Sequence, residues 1–415
     1  VGVARGRGSG FSENLMTNRY LTFLLAGLAM VGPFAIDTYL PSFHSIALEF
    51  AVSDLLVQQT LSAFLLAQAV MSLFYGTLSD SVGRRPVVLG TLLLFVLSSI
   101  GATLAPSFGA LLVCRVLQGM SAGAGMVVGQ AIVRDQFHGA EAQRMIAGIM
   151  MVFGIAPAVA PVLGGYLNAH LGWRANFAFL TLFGGVLAVL CWRVLPESLA
   201  PQQRQPLHLG TILRNYLTAV RYPKFLLGTF ATGSAFLGFA LYIAGAANFV
   251  LEVLHLPETA FGWLFVPMIG GMVLGSAISG RLAHRFSSAT TIRVGQAMMV
   301  LAALANLAYT ASFPVAVPWA VLPAMLYTFG VALAVPAMSV IVQGLLPTMR
   351  GLAASLQSFV QMMAFALAAG LLAPLLFGSA FKYALGMAAG VALSLLFWRL
   401  SQAMGEAPAQ AGGRS

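Results

Sequence analysis

Apolar runs about 20 residues long recur along this chain, separated by short polar breaks, and that spacing leaves few folds open. A helix needs ~20 residues to cross a hydrocarbon layer ~30 Å thick. Only 8% of the 415 residues are charged, whereas soluble domains carry roughly 25%. So few charges cannot cover a water-exposed surface, and lipid is the expected solvent. Spans are predicted near residues 20–42, 55–75, 87–105, 109–131, 145–167 and 174–195, and again near 225–250, 261–281, 292–312, 316–343, 350–373 and 380–400. The first run is too long for a signal-peptide core, Asp37 interrupts it and no small-residue cleavage site follows. It is therefore read as a retained span.

The polar stretch after the sixth run divides the chain. The expected organisation is a tail over 1–18, a six-helix bundle over 19–195, a linker over 196–224, a second six-helix bundle over 225–401 and a tail over 402–415. The fold class is an all-α membrane protein with twelve transmembrane helices. The net charge is +10, but nucleic-acid binding needs cations clustered in a patch, and here they alternate with apolar runs. With both termini and the linker cytoplasmic, Arg115 falls inside a span and Arg174 and Lys382 fall outside. Every other Lys and Arg is then on the inner side, while the outer loops carry Glu49, Asp54, Glu252 and Glu258. One missed span would invert this bias from that point on.

Several segments carry chemistry. Gly76-Thr77-Leu78-Ser79-Asp80-Ser81-Val82-Gly83-Arg84-Arg85-Pro86 joins spans 2 and 3. The glycines permit a tight turn, and Asp80 can pair with Arg84, Arg85 or a helix N-terminus. The segment resembles motif A of the major facilitator superfamily, whose expected role is a cytoplasmic latch made in one state and broken in the other; the bland reading is a positive-inside anchor. A degraded counterpart, Gly280–Arg285, follows span 8 and suggests two parallel repeats. Span 4 carries Arg115, with Gln118, Gly119, Ala122 and Met126 at helical spacing, similar to motif B. A charge at membrane depth costs at least roughly 2.5–3.5 kcal/mol, so Arg115 should face a watery cavity or a partner, or else snorkel to the interface. Span 1 carries Asp37 between Pro33 and Pro41. Burial favours the neutral form of a carboxyl and a nearby guanidinium favours the charged form, so Asp37 is the expected proton carrier and Arg115 its electrostatic partner. A purely structural ion pair and a place at the outer interface are the alternatives. Span 5 repeats small residues and prolines at Gly154, Pro157, Pro161, Gly164 and Gly165, similar to the antiporter motif C; generic close packing would give part of that pattern.

Asp37-Thr38-Tyr39-Leu40-Pro41, the motif A loop, Arg134-Asp135, Pro157 with Pro161, and Gly172-Trp173-Arg174 together resemble the Bcr/CflA family of bacterial multidrug exporters. The motifs cover the first half; the second half matches mainly in helix count. The resemblance implies a bacterial inner-membrane transporter exchanging cytosolic drug for periplasmic protons, with small amphipathic molecules, protons and lipids as partners and a monomer as the working unit. Tyr39, Gln118, Met126, Pro157, Tyr242, Asn248, Gln357 and Gln361 are the candidate lining of its cavity, each also able to serve as packing glue. A transporter of one specific metabolite would need the same fold. A membrane-embedded enzyme or receptor-like scaffold is the rival from another class.

No cofactor or metal is expected. His44, His138, His170, His208, His255 and His284 fall in loops or near span ends without ligand spacing. No phosphate-binding Gly-x-x-x-x-Gly-Lys segment is present, and no Ser-His-Asp set sits at membrane depth. Cys114 and Cys191 lie in apolar runs and are read as buried thiols.

Overall fold

The computed structural model describes residues 9–205, 209–282 and 287–404. Without water, a spanning segment must satisfy its own backbone polar groups, and the apolar runs do so as helices. Among the described residues twelve are long and apolar enough to cross a bilayer. Spans 1 to 6 are Tyr20–Phe50, Asp54–Ser72, Arg84–Thr103, Phe108–Gln136, Arg144–Leu171 and Arg174–Val194. Spans 7 to 12 are Pro223–Ala244, Glu258–Ser279, Ser288–Ser312, Leu322–Gly344, Arg350–Leu376 and Ala380–Ala403. Serines start three of these helices by accepting a backbone N–H: Ser53 from Leu56, Ser107 from Ala110 and Ser287 from Thr290.

Some bounds differ from expectation for local reasons. Span 1 breaks at Asp37 but resumes through a 3-10 turn, Leu40–Ser42, into Phe43–Phe50. Span 7 stops at Ala244 instead of near 250, and the chain continues into a π-helical turn, Asn248–Val253. Span 10 starts at Leu322 instead of near 316, because residues 317–321 form a turn. The counterpart of motif A, Gly280–Arg285, lies outside the described residues beyond the helical end at Leu282. So do the far ends of both expected tails.

Packing reveals a repeat that the sequence barely carries. In the first half spans 1 and 5, 2 and 4, 3 and 4, and 3 and 6 pack together. In the second half the partners are 7 and 11, 8 and 10, 9 and 10, and 9 and 12, each pair displaced by six. The halves meet along two seams, span 2 with span 11 and span 5 with span 8. Adding six to one seam generates the other, as two parallel repeats require. Spans 4 and 10 belong to neither seam, and spans 1 and 7 reach the other bundle only at their outer ends. An even number of spans puts both ends and the linker on one face, called here the linker face.

Candidate transport site

The site begins where span 1 stops being a helix. The helix ends at Asp37, and Pro41 cannot donate to an upstream carbonyl. The last carbonyls of any helix lack partners within it. Two of them are answered differently here. Phe34 O accepts both the Thr38 backbone N–H at 3.2 Å and its hydroxyl at 2.7 Å. Ala35 O accepts Nη1 of Arg115, from span 4, at 3.0 Å. Arg115 thus caps the C-terminal end of a broken helix, where a cation is favoured.

Arg115 is fully buried and does not snorkel. Its Nη1 also donates to Gln118 Oε1 at 2.7 Å, and Gln118 Nε2 donates to Ser99 Oγ at 2.8 Å. The guanidinium carbon lies 4.0 Å from the ring centre of Tyr39 and 4.4 Å from that of Phe64. Such cation–π contacts contribute about 0.5–2 kcal/mol each, which offsets part of the desolvation. The Tyr39 hydroxyl sits 3.2 Å from Thr60 Oγ1 of span 2. Nε and Nη2 of Arg115 have no hydrogen-bond partner.

The expected ion pair between Arg115 and Asp37 is not made in this conformation: no Asp37 oxygen lies within 4.0 Å of a described cation. Helical geometry explains why. Ala35 and Tyr39 are four apart and share a face, while Asp37 is turned about half a revolution away. Arg115 occupies the Ala35 and Tyr39 side. Asp37 is only 3% exposed, and its Oδ1 is enclosed without a partner. It is the only fully buried carboxylate among the described residues.

Spans 5 and 6 hold the turn after Asp37. A Cβ on Gly164 would overlap the Thr38 carbonyl, so glycine permits the contact. Asn176 of span 6 donates to Ser42 Oγ at 2.7 Å and to Gly164 O at 3.3 Å. Gly165, one residue on, presses on the Glu258 carbonyl at the start of span 8. Pro157, Gly154 and Met126 are half-buried, with Gly154 facing Val273 of span 8 across the seam. Pro161 stays within the continuous helix Gly139–Leu171.

The second-half candidates do not join this cluster. The Tyr242 hydroxyl accepts from Asn306 Nδ2 at 2.7 Å, and its ring packs on Phe249 and Tyr383. Asn248 donates to Glu252 and accepts from the Gly378 N–H at 3.0 Å. Gln357 accepts from Gln343 of span 10 at 2.8 Å, while its own Nε2 is unpartnered. Gln361 is half-buried.

Three cross-bundle contacts lay outside the sequence reading. Gln58 donates to Ala244 O at 2.8 Å, Gln59 to Gly370 O at 3.1 Å and Asn168 to Glu258 Oε2 at 2.5 Å. All lie near the face opposite the linker. An amide in an apolar run is the signal that could have marked Gln58, Asn176 and Asn306.

On the linker face Arg84 is the centre of the motif A region. Its Nη1 reaches Asp80 at 2.5 Å and Ser79 Oγ at 2.7 Å, and its Nε reaches Asp135 of span 4 at 2.9 Å. The first linker residues close over it. Glu197 accepts the backbone N–H of Arg84 at 3.0 Å and of Arg85 at 3.3 Å, capping span 3, and Ser198 donates to Asp135 at 2.9 Å. Gly83 has φ of 114°, and a side chain there would strike Glu197. The Arg85 side chain donates to Trp192 O at 2.6 Å, and a side chain at Gly76 would meet open space. At the opposite face Arg174 pairs with Glu49, which also accepts from Trp173 Nε1 at 2.6 Å.

Comparison with known proteins agrees with this architecture. Residues 22–369 match the family model of the Major Facilitator Superfamily. The chain belongs to that superfamily. Within the Major Facilitator Superfamily it is 31% identical over 292 residues to the bicyclomycin resistance protein homolog of Haemophilus influenzae, covering 70% of this chain and 73% of the relative. It is 29% identical over 274 residues to multidrug resistance protein D of Escherichia coli K12, covering 65% and 68%. The human organic anion transporter MFSD10 (TETRAN) shares the fold with a TM-score of 0.67 at 20% identity, over 93% of this chain and 99% of that one. The relatives are transporters, not enzymes, and the bicyclomycin homolog places this chain with the Bcr/CflA branch that its motifs resemble. It is a multi-pass membrane protein of a superfamily that moves small molecules.

Proposed function

We propose that this chain exports small amphipathic compounds from the cytosol of a bacterium in exchange for protons, by alternating access, with its linker face cytoplasmic. The observation that carries the reading is Asp37: a carboxyl at a helix break, 3% exposed, with no counter-ion among the described residues. An isolated buried charge is costly and is neutralised or compensated. Proton uptake and release at such a group, alternating with substrate, is the simplest use of it. Likeness to a bicyclomycin resistance protein homolog and to multidrug resistance protein D supports drug-like substrates over polar metabolites. The cross-bundle bonds of Gln58, Gln59 and Asn168 support a state closed toward the periplasm. Spans 1, 4, 7 and 10 would wall the substrate path. Lys and Arg on the linker face support an inner-membrane protein with cytoplasmic ends; the working unit is taken to be a monomer. One proton driven by 100 mV supplies about 2.3 kcal/mol, so a neutral drug exchanged for one proton is concentrated about fiftyfold.

The test is Asp37→Asn in the full chain, reconstituted and loaded with a fluorescent drug such as ethidium. Gradient-driven efflux should vanish while exchange of drug for drug persists. Undiminished gradient-driven efflux by that variant would remove Asp37 from the mechanism.

A further inference from the structure

Between Glu197 and Glu252 the chain has no acidic residue, yet it carries Arg204, Arg214, Arg221 and Lys224. Within this segment the linker forms a helix, Leu209–Val220. Three sectors divide its surface. Tyr216 and Ala219 turn inward: Ala219 is buried and the Tyr216 hydroxyl donates to Leu73 O at the end of span 2 at 2.9 Å. Tyr216 also packs on the cluster holding Ala353 and Leu356 of span 11. Leu213, Leu217 and Val220, at i, i+4 and i+7, form a second sector that is 61%, 49% and 44% exposed. Arg214 and Arg221 lie about a quarter-turn further round, both exposed and without an ion pair among the described residues.

We propose that this helix is a binding surface for anionic phospholipid of the leaflet on the linker face. Its position decides the occupant. The helix packs against spans 7 and 11 and is pinned to the end of span 2, so it sits at the level where spans leave the hydrocarbon. An amphipathic helix there buries its apolar sector at the acyl boundary and holds flanking cations among headgroups. Two unpaired arginines in a stretch free of carboxylates complement a negative headgroup, and a guanidinium binds phosphate with paired donors. The lipid would thereby brace the linker against the ends of spans 2 and 11, a seam between the bundles. Nothing in this inference depends on Asp37 or on protons.

The experiment uses the full chain in dodecyl maltoside, titrated with dioleoyl-phosphatidylglycerol or dioleoyl-phosphatidylcholine and read by the midpoint of thermal unfolding. Phosphatidylglycerol should raise the midpoint more than phosphatidylcholine does. Arg214→Gln with Arg221→Gln should shift the phosphatidylglycerol titration to higher concentration, about fivefold for each arginine. Leu213→Gln with Leu217→Gln should reduce the response to both lipids. Arg399→Gln, an exposed cation on another element of the same face, should leave the titration in place. Equal midpoints with the two lipids, an unshifted titration in the double-arginine variant, or an equal shift with Arg399→Gln would each overturn the proposal.

Discussion

Gly164→Ala isolates the contact that supports the turn after Asp37, the proposed proton site. The new Cβ would overlap the Thr38 carbonyl, so one of two backbones must move. Overpacking of this kind costs typically about 1–3 kcal/mol, while alanine returns roughly 1 kcal/mol of helix propensity. Gly154→Ala in the same helix gains the same propensity but meets only Val273 Cγ2 at 3.9 Å, an ordinary contact. Subtracting one variant from the other removes the propensity term and leaves the overlap. The two should differ by about 1–3 kcal/mol, Gly164→Ala being the less stable. Thermal midpoints of the purified proteins, followed by size-exclusion fluorescence, give the order. Gly164→Ala should also lose more gradient-driven transport, because Thr38 follows Asp37 in the break. Equal midpoints for the two alanines would refute the claim that span 5 presses on the Asp37 turn.

Other expectations come from single contacts. Asp37→Asn and Arg115→Gln, combined in a double-mutant cycle on stability, should couple by far less than the ~3–5 kcal/mol lost on breaking a buried ion pair, because the two do not touch here; coupling of that size would mean the resting protein holds them together. Glu197→Gln removes the charge that caps span 3, and should cost about 1–2 kcal/mol in unfolding experiments and slow turnover more than it weakens drug binding. Asn168→Leu deletes the bond to Glu258 across the bundles, and should widen the distance distribution between spin labels on the outer ends of spans 5 and 8, measured by pulsed dipolar spectroscopy.

The fold was legible because spanning length and charge bias are coarse properties that survive local error. Spans 2 to 6, 8, 9, 11 and 12 were placed from apolar runs alone, and the six-plus-six division followed from one polar stretch. Span ends were less legible. Span 7 stops at Ala244, and Gly245, which follows it, lies against the Tyr383 ring, a partner more than a hundred residues away. Span 1 runs on to Phe50 because the 3-10 turn at Leu40–Ser42 leads straight into a second helix, Phe43–Phe50. At the site, residue types were readable but rotation was not. Asp37 and Arg115 were expected to meet as the two charges at depth, and a shift of two residues round span 1 decides otherwise. The motif A loop was visible, but its closure by Glu197 and Ser198 depends on where the linker turns back, which no local pattern encodes.

The same contacts give the proposed proton step at Asp37 a route to a gate. The turn after Asp37 touches Gly164 at the Thr38 carbonyl, and Gly165 touches the Glu258 carbonyl in the other bundle. Span 5 is continuous through both glycines, so a displacement at the turn is carried to the seam within one residue. Asn176 fastens Gly164 in span 5 to Ser42, four residues beyond Thr38 in span 1. Contiguity alone does not establish coupling, so the prediction must separate transmission from folding. We expect Asn176→Ser, small and still able to donate, to preserve proton release on drug binding and its link to outward opening. Asn176→Val should leave proton release at Asp37 intact, measured with a pH-sensitive dye, yet weaken the change in distance across spans 5 and 8 that accompanies it. If both variants keep the distance change in full, the span 5 route is wrong and the gate takes its signal elsewhere.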